Sequence, residues 1–301
     1  MNRVARLIDL SWAHKNQFLG QDIGIAVVDT GIANHIDFFY NHQSRIVAFK
    51  DVINGRKENY DDNGHGSHVS GILGGSGEAS DGRYVGIAPR CHLIGVKVLD
   101  YKGNGNISDV LEGMDWIIAN RKKYNIRIMN ISVGTGSDKE IDENSLLVQG
   151  VNKVWDSGII VLAAAGNNGP NPKSIGAPGN SRKIITVGAS DDDVLVEIAG
   201  NRRKDYSSRG PTQECIVKPE IIAPGTNIVS CMNNRVGYAV KSGTSMATPV
   251  VAGAVALLLS KHPNMTPREV KIRLKNRAVD VGYEFEKQGW GMINVRNLLL
   301  D

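Results

Sequence analysis

The sequence predicts a single α/β domain in which helices cover both faces of a mostly parallel, twisted β-sheet. Short apolar runs rich in Val and Ile alternate with helical patterns along the chain, and this alternation is typical of a parallel sheet between two layers of helices. The 301 residues contain no repeat, low-complexity tract or Pro/Ser-rich linker. With 41% hydrophobic and 22% charged residues, the chain can bury a sizeable core. We therefore take 1–301 as one domain, with 1–22 as an N-terminal arm.

Five apolar runs predict buried strands, because each is short and is followed by polar or small residues. They are 23–28, 93–99, 127–133, 158–165 and 184–187. Three segments between them have helical patterns, namely 65–73, 107–124 and 146–156. Functional groups in such folds gather at the carboxyl ends of the strands, and three polar residues lie there: Asp29, Ser132 and Asn167.

The C-terminal part predicts two helices. Segment 245–261 is apolar nearly all round, so we expect this helix to be buried. A second helix should begin after Thr266, which can cap it, with Pro267 at the first helical position.

The charge distribution indicates neither a nucleic acid nor a membrane as a partner. Lys and Arg number 35 against 31 Asp and Glu, a net charge of +4, and a nucleic-acid binder would cluster its basic residues in patches. The densest basic run, 202–204, is interpreted as a solvated loop. The longest apolar stretches, 159–165 and 254–259, fall short of the roughly 20 residues of a spanning helix.

Three widely spaced cysteines, Cys91, Cys215 and Cys231, predict neither a disulfide framework nor a metal site of the C-x-x-C type. None of them stands beside a plausible base, so we interpret all three as structural. Free thiols suit a reducing compartment.

The first chemical motif is Asp29-Thr30-Gly31 at the end of an apolar run. Half of an aspartic protease site looks the same, but that reading needs a second such tripeptide to share a proton between carboxylates. None occurs in this chain. On this motif alone, Asp29 remains open to the interpretation of a plain loop residue.

The second motif surrounds His65 at a predicted helix start, where Asn63 or Asp62 can cap the helix. Small neighbours, Gly66 among them, allow close packing. His65 and His68 are also spaced to bind a metal on one helix face. However, no Glu stands between them and no third ligand is evident.

The third and fourth motifs surround Ser245 and Asn167. A serine at a helix start is commonly only a cap, but the backbone N–H groups there carry the positive end of the helix dipole, where an oxyanion can form. The Gly-x-Ser-x-Gly elbow of α/β-hydrolases is not matched, because Ala247 replaces its last glycine. Asn167 follows a strand and a glycine, so it is either a turn residue or an oxyanion donor.

Taken together and in this order, four segments resemble the signature segments of the subtilase (subtilisin-like) family. They read VVDTGI, DDNGHGSHVSG, AAAGNNG and SGTSMATPVVAG. The resemblance extends from about residue 22 to the C-terminus. It implies a subtilisin-like peptidase domain and a serine endopeptidase that forms an acyl-enzyme intermediate.

The resemblance also implies a role for each matching residue. Ser245 is the nucleophile, His65 the general base and Asp29 the group that orients the imidazole. The Asn167 side chain and the Ser245 N–H are expected to bind the oxyanion, with help from the Thr244 hydroxyl. A non-catalytic or regulatory member of the fold is the competing function, and loss of one triad residue would be its signature. A lipase or esterase is a further alternative.

The substrate is expected to bind as an extended strand between two backbone edges. By resemblance these edges are Gly103-Asn104-Gly105 and Ser132-Val133-Gly134. The first specificity pocket is then bordered by the second edge and by Ala164 to Gly166, with Gly176 near its base. No charge lies among these residues, so we expect cleavage after large apolar residues. The Ala177–Pro178 bond matches a position where the family has a cis peptide.

The implied chemistry needs no cofactor, and we assign no metal ligand. Asp37 lies where some secreted members have a calcium ligand, but loop 74–82 does not match their Asn-rich loop. Glu78 and Asp81 carry oxygens that calcium accepts. A structural calcium therefore has no matching loop in this sequence. The simpler interpretation is that 74–82 is a solvated loop.

The N-terminal residues lack the continuous apolar segment of a secretory signal. In this, and in its free cysteines, the chain resembles the intracellular bacterial branch of the family. We therefore expect a cytoplasmic location, or a secreted one if the chain is a trimmed mature form. The sequence indicates no oligomeric state.

Overall fold

The apolar runs of the sequence form the expected strands. The computed structural model of the chain describes residues 1–134, 145–198 and 200–300. In chain order its strands are β1 Gly24–Asp29, β2 Phe39–Tyr40, β3 Gln43–Ser44, β4 Ile46–Asp51, β5 His92–Lys97, β6 Ile126–Ile131, β7 Ile160–Ala164, β8 Ile185–Ala189, β9 Val196–Ile198, β10 Asn201–Arg203, β11 Ile221–Ala223, β12 Ile228–Cys231 and β13 Tyr238–Lys241. Its α-helices are α1 Asn2–Leu7, α2 Leu10–Lys15, α3 His65–Gly74, α4 Ile107–Asn120, α5 Leu146–Asp156, α6 Thr244–Lys261, α7 Pro267–Arg277, α8 Phe285–Gln288 and α9 Val295–Leu299.

A seven-stranded sheet lies at the centre, in the order β11-β8-β7-β6-β1-β5-β4. Every pair of neighbouring strands in it is parallel. The five predicted strands occupy the interior positions. The edge strands β4 and β11 were not predicted. The α/β fold class with a parallel sheet between helices is confirmed.

Two apolar clusters cover the two faces of the sheet. Alternate residues of β1 enter different clusters: Ile25 and Val27 contact the one that contains α3 and α6, and Ala26 and Val28 contact the one that contains α4 and α5. This division follows from the two-residue period of a strand. All six residues of β1 are buried, as expected for the middle of a covered parallel sheet.

Helix α6 is buried as predicted, over most of its length. It is the one helix of the described residues that is long and apolar enough to cross a membrane, but 83% of it is buried inside the fold. That burial is typical of the core helix of a globular domain. Pro249 lies inside this helix.

The predicted N-terminal arm is packed into the domain. Met1, Val4 and Leu10 belong to the larger core cluster, and the N–H of Val295 at the start of α9 donates to the Ile8 carbonyl at 2.7 Å. Helix α7 begins as predicted, with Thr266 at its N-cap, Pro267 at its first position and a reciprocal capping box with Glu269.

Candidate active site

The predicted catalytic residues come from four segments of the chain. Asp29 is the last residue of β1, His65 the first residue of α3, and Ser245 the second residue of α6. Asn167 follows the end of β7. His65, Asn167 and Ser245 line one open cleft of about 910 Å³, whose other lining residues are Thr30, Asn63, Leu99, Lys102, Gly103, Asn104, Gly105, Asn106, Ile107, Val110, Ser132, Val133, Gly134, Leu147, Glu197, Ile198, Val240, Lys241, Ser242 and Met246.

Asp29 and His65 form a direct pair. The His65 Nδ1 atom lies 2.7 Å from Asp29 Oδ1, and the Thr30 N–H donates to the same oxygen at 2.8 Å. The Asp29 side chain is fully buried, whereas 26% of the His65 side chain is exposed. Because a carboxylate oxygen only accepts, the proton of the neutral imidazole resides on Nδ1. Nε2 then keeps its lone pair and can act as a base.

The surroundings of His65 raise its pKa above the ordinary value of 6.5. Burial by itself lowers this pKa, but the negative charge of Asp29 and the hydrogen bond to it outweigh burial. The positive charge of Lys241 lowers the pKa, and the carboxylate of Asp61 raises it.

Asp61 caps α3 together with Asn63, which is one of the two residues that the sequence predicted for this role. The N-cap position is Gly64, which has no side chain. Asp61 Oδ1 accepts from the Gly64 N–H at 2.8 Å, and Oδ2 accepts from the Ser67 N–H at 2.8 Å. Asn63 contributes a side-chain acceptor for the His65 N–H at 3.1 Å. The sequence signal that could have identified Asp61 as a cap is an acidic residue three positions before a glycine at the N-cap.

Thr30 links this cap to the Asp29 strand. Its hydroxyl donates to Asp61 Oδ1 at 2.9 Å and accepts from the Gly66 N–H at 2.9 Å. Its carbonyl accepts from the fully buried ammonium of Lys97 at 2.7 Å. The residues on either side of His65 are thus tied to the strand that carries Asp29.

His68, one turn further along α3, has a different environment. Its Nε2 atom lies 3.1 Å from the carbonyls of both Ile228 and Ala239, so this nitrogen carries the proton and donates. Burial lowers the pKa of His68 to about 3. His68 therefore ties α3 to the β12–β13 hairpin through Nε2.

The Ser245 hydroxyl donates to the Ser132 carbonyl at 3.3 Å, and must leave this acceptor to reach His65. The Ser132 hydroxyl in turn donates to the Ser245 carbonyl at 3.4 Å. That carbonyl is available because Pro249, four residues further along α6, has no N–H to offer it. The proline inside the helix therefore allows Ser132 to contact the backbone of Ser245.

Asn167 is held by Thr244. Its Oδ1 atom accepts from the Thr244 N–H at 3.0 Å and from the Thr244 hydroxyl at 3.1 Å. Because the carbonyl oxygen of the amide faces these donors, its NH₂ group points away from them. The Thr244 hydroxyl also accepts from the Gly166 N–H at 3.2 Å. Thr244 therefore orients the Asn167 amide, and its hydroxyl donates its proton to the amide oxygen. The sequence instead predicted that this hydroxyl would donate to the oxyanion.

The two predicted backbone edges both line the cleft. Three further predicted residues, Ala164, Gly166 and Gly176, do not line it. The carbonyls of Ala164 and Gly176 lie near each other, because a Cβ on Gly179 would meet them at 3.0 and 3.1 Å. A Cβ on Gly134 would approach the Ala177 carbonyl to 3.0 Å. The Ala177–Pro178 peptide bond is cis, as predicted.

Asp37, the position considered for calcium, is surrounded by donors. Its carboxylate accepts from the Ala79 N–H at 2.9 Å, the Tyr238 hydroxyl at 2.8 Å and the Cys231 thiol at 3.6 Å. The Arg45 guanidinium donates to the Asp37 carbonyl at 2.6 Å. The Asp37 carboxylate therefore already has three hydrogen-bond donors, and a guanidinium lies at its backbone carbonyl.

In the described ranges, the residue types that bind metals come together at His35, Asp37 and Cys231. Their ligand atoms lie within 4.8 Å of one another. His35 Nδ1, however, already accepts from the Asp37 N–H at 3.1 Å. The three side chains thus already form hydrogen bonds with one another or with neighbouring backbone groups.

The chain is similar to known proteins of one family. The model of the subtilase family matches residues 20–291. The chain belongs to the subtilase family. This subtilase is 43% identical over 278 residues to the serine protease AprX of Bacillus subtilis, and 34% identical over 281 residues to subtilisin DY of Bacillus licheniformis. The name of the first of these relatives describes a serine protease.

Coverage differs between these relatives. The alignment with AprX covers 85% of this chain but 61% of AprX, whereas that with subtilisin DY covers 92% and 91%. Among solved structures, a cold-adapted subtilisin-like serine proteinase matches with a TM-score of 0.74 and 30% identity, covering 92% of this chain and 90% of that one. The predicted family is confirmed.

Proposed function

We propose that this subtilase is a serine endopeptidase in which Asp29, His65 and Ser245 act as the triad. The observation that carries the proposal is the 2.7 Å contact of Asp29 with His65, which lines the same cleft as Ser245 and Asn167. Each group has the chemistry that its role needs. A buried carboxylate holds the imidazole tautomer. The serine lies at the start of a helix, beside the backbone N–H groups of the first turn.

The reaction begins when the Ser245 hydroxyl turns from the Ser132 carbonyl to His65 Nε2. His65 takes the proton as Ser245 Oγ attacks the scissile carbonyl, and the negative charge of Asp29 stabilises the imidazolium. The oxyanion accepts from the Asn167 NH₂ group and the Ser245 N–H. His65 then protonates the leaving amine, and water hydrolyses the acyl-enzyme by the same steps.

The cleft supports a peptide substrate. Its two glycine-containing edges, at Gly103–Gly105 and Ser132–Gly134, let an extended backbone approach closely. Apolar side chains line the part of the cleft next to these edges: Leu99, Ile107, Val110, Val133 and Leu147. We infer a preference for large apolar side chains before the scissile bond, with no requirement for Arg or Lys there.

The test compares the parent chain with Ser245→Ala. Both are incubated with unfolded casein and with a phosphonate probe that labels active serine hydrolases. We expect the parent alone to cleave casein and to carry the adduct on Ser245, located by mass spectrometry of peptides. Circular dichroism and thermal unfolding show whether the variant is folded.

Two outcomes would count against the proposal. If a folded parent neither cleaves casein nor reacts with the probe, the chain is a non-catalytic member of the fold. If Ser245→Ala cleaves as fast as the parent, the nucleophile is another residue.

A further inference from the structure

The residues that line the cleft fall into two sets. One set surrounds the two backbone edges at Gly103–Gly105 and Ser132–Gly134, which the proposed function assigns to the substrate residues before the scissile bond. The second set comes from β9, β13 and the start of α6, and comprises Glu197, Ile198, Val240, Lys241, Ser242 and Met246. Because the first set contacts the substrate residues before the scissile bond, this second set is left to contact the residues after it.

Lys241 is the charged residue of this second set that is nearest to Ser245 in the chain. It is the last residue of β13, pairs with Ile228 of β12 and precedes Ser245 by four residues. Its side chain is half-buried. The hairpin that carries it packs against the start of α3, because His68 Nε2 lies 3.1 Å from the carbonyls of Ile228 and Ala239.

The ammonium of Lys241 has neither an ion pair nor a hydrogen bond within the described part of the chain. Two other acidic or basic residues of the cleft, Glu197 and Lys102, differ from Lys241 in being exposed. Glu197 is exposed on β9, directly opposite Arg202 of β10. Lys102 is exposed, and its ammonium lies 5.4 Å from the centre of the Tyr101 ring. Lys241 is thus a partly buried cation whose charge is left for a ligand.

We propose that Lys241 makes the leaving-group side of the cleft selective for an acidic substrate side chain at the first or second residue after the scissile bond. The proposal rests on the proposed function. Successive side chains of an extended peptide point in opposite directions, so only one of the two positions can face Lys241. The selectivity should therefore appear at one position and be absent at the other.

The size of the effect follows from the exposure of the site. An ion pair at a partly exposed site contributes about 1 kcal/mol, which corresponds to about a fivefold ratio of kcat/KM. Glu and Gln have nearly the same shape, so a comparison between them measures the charge alone.

The test uses internally quenched peptides with a common apolar sequence before the scissile bond and Glu, Gln or Lys at each of the two following positions. Mass spectrometry confirms the bond that is cleaved. At one position we expect the parent to prefer Glu over Gln about fivefold. Lys241→Met should abolish this ratio, and Lys241→Glu should reverse it in favour of Lys. Lys102→Met is the matched control, and should keep the Glu/Gln ratio of the parent whatever its overall rate.

The outcomes separate the two proposals. If the parent cleaves Glu and Gln peptides equally at both positions, or if Lys241→Met keeps the preference, the role of Lys241 is overturned while the endopeptidase stands. If the ratio falls equally in Lys102→Met, the general positive charge of the cleft selects the substrate and Lys241 does not. If the folded parent cleaves no peptide and does not react with the phosphonate, the proposed function fails, and the selectivity fails with it.

Discussion

Helices α3 and α6 both begin at the cleft, and each begins directly after a glycine with a positive φ. The φ angle is 96° at Gly64 and 143° at Gly243, in the region that favours glycine. Neither glycine has a side chain to cap its helix, so the caps come from other segments. At α3 the cap is the carboxylate of Asp61. At α6 it is the neutral amide oxygen of Asn167.

This difference matches the charge that each helix start must stabilise in the proposed mechanism. His65 becomes a cation, and the carboxylates of Asp29 and Asp61 both favour that form. The start of α6 must receive an oxyanion, and its first turn contains no acidic residue. The positive end of the α6 dipole is therefore not cancelled. The charge of each cap therefore agrees with the charge that the proposed mechanism forms at that helix start.

The largest expected effect comes from removing the charge beside His65. Asp29→Asn should lower kcat about 10⁴-fold, because the amide no longer holds the correct imidazole tautomer. The activity requires neutral His65, so kcat/KM of the parent should rise with pH through a midpoint above 6.5. Since Asp29 raises the pKa of His65, the variant should have its midpoint at lower pH. Initial rates across pH measure both effects.

A double variant provides the control for this pair. If Asp29 acts through His65, adding Asp29→Asn to His65→Ala should cause little further loss of activity. A full additional loss in the double variant would show that Asp29 acts by another route, such as the stability of the fold.

The second effect tests the cap of α6. Asn167→Ala should lower kcat about 10²- to 10³-fold with little change in KM, because the amide donates to the oxyanion of the transition state. Asn168→Ala, a change in the neighbouring residue outside the cleft lining, should leave kcat close to that of the parent. Steady-state kinetics on one peptide would decide the assignment, which an unchanged kcat for Asn167→Ala would contradict.

The smallest effect tests the cap of α3. Asp61→Asn should lower the free energy of unfolding by about 1–2 kcal/mol, because a charged acceptor is lost from a helix start. It should also move the midpoint of kcat/KM to lower pH, since Asp61 raises the pKa of His65. Asp109→Asn, in the first turn of α4, should change stability by less than about 0.5 kcal/mol. Equal losses in urea unfolding of both variants would remove any special role for Asp61.

The sequence determined the interior of the fold and the family. Five apolar runs predicted the inner strands because burial on both faces leaves a continuous apolar signal. Helices with strong local signals, such as α5 at Leu146–Asp156 and α7 after Thr266, were placed from residue pattern and capping chemistry. The four signature segments identified the subtilase family, which the comparisons confirm.

Only the tertiary structure decided the contacts between segments distant in the chain. The edge strand β11 has just three residues, Ile221–Ala223, and becomes a strand by pairing with β8. The Thr30 hydroxyl joins Asp61 and Gly66 at the start of α3 across 31 and 36 positions of sequence, and Thr244 orients Asn167 across 77 positions. His65 and His68 share one helix face in the sequence, yet Asp29 raises the pKa of the first while burial lowers that of the second. Hydrogen bonds and electrostatics act over a few ångströms of space, so residue order alone does not reveal which groups meet.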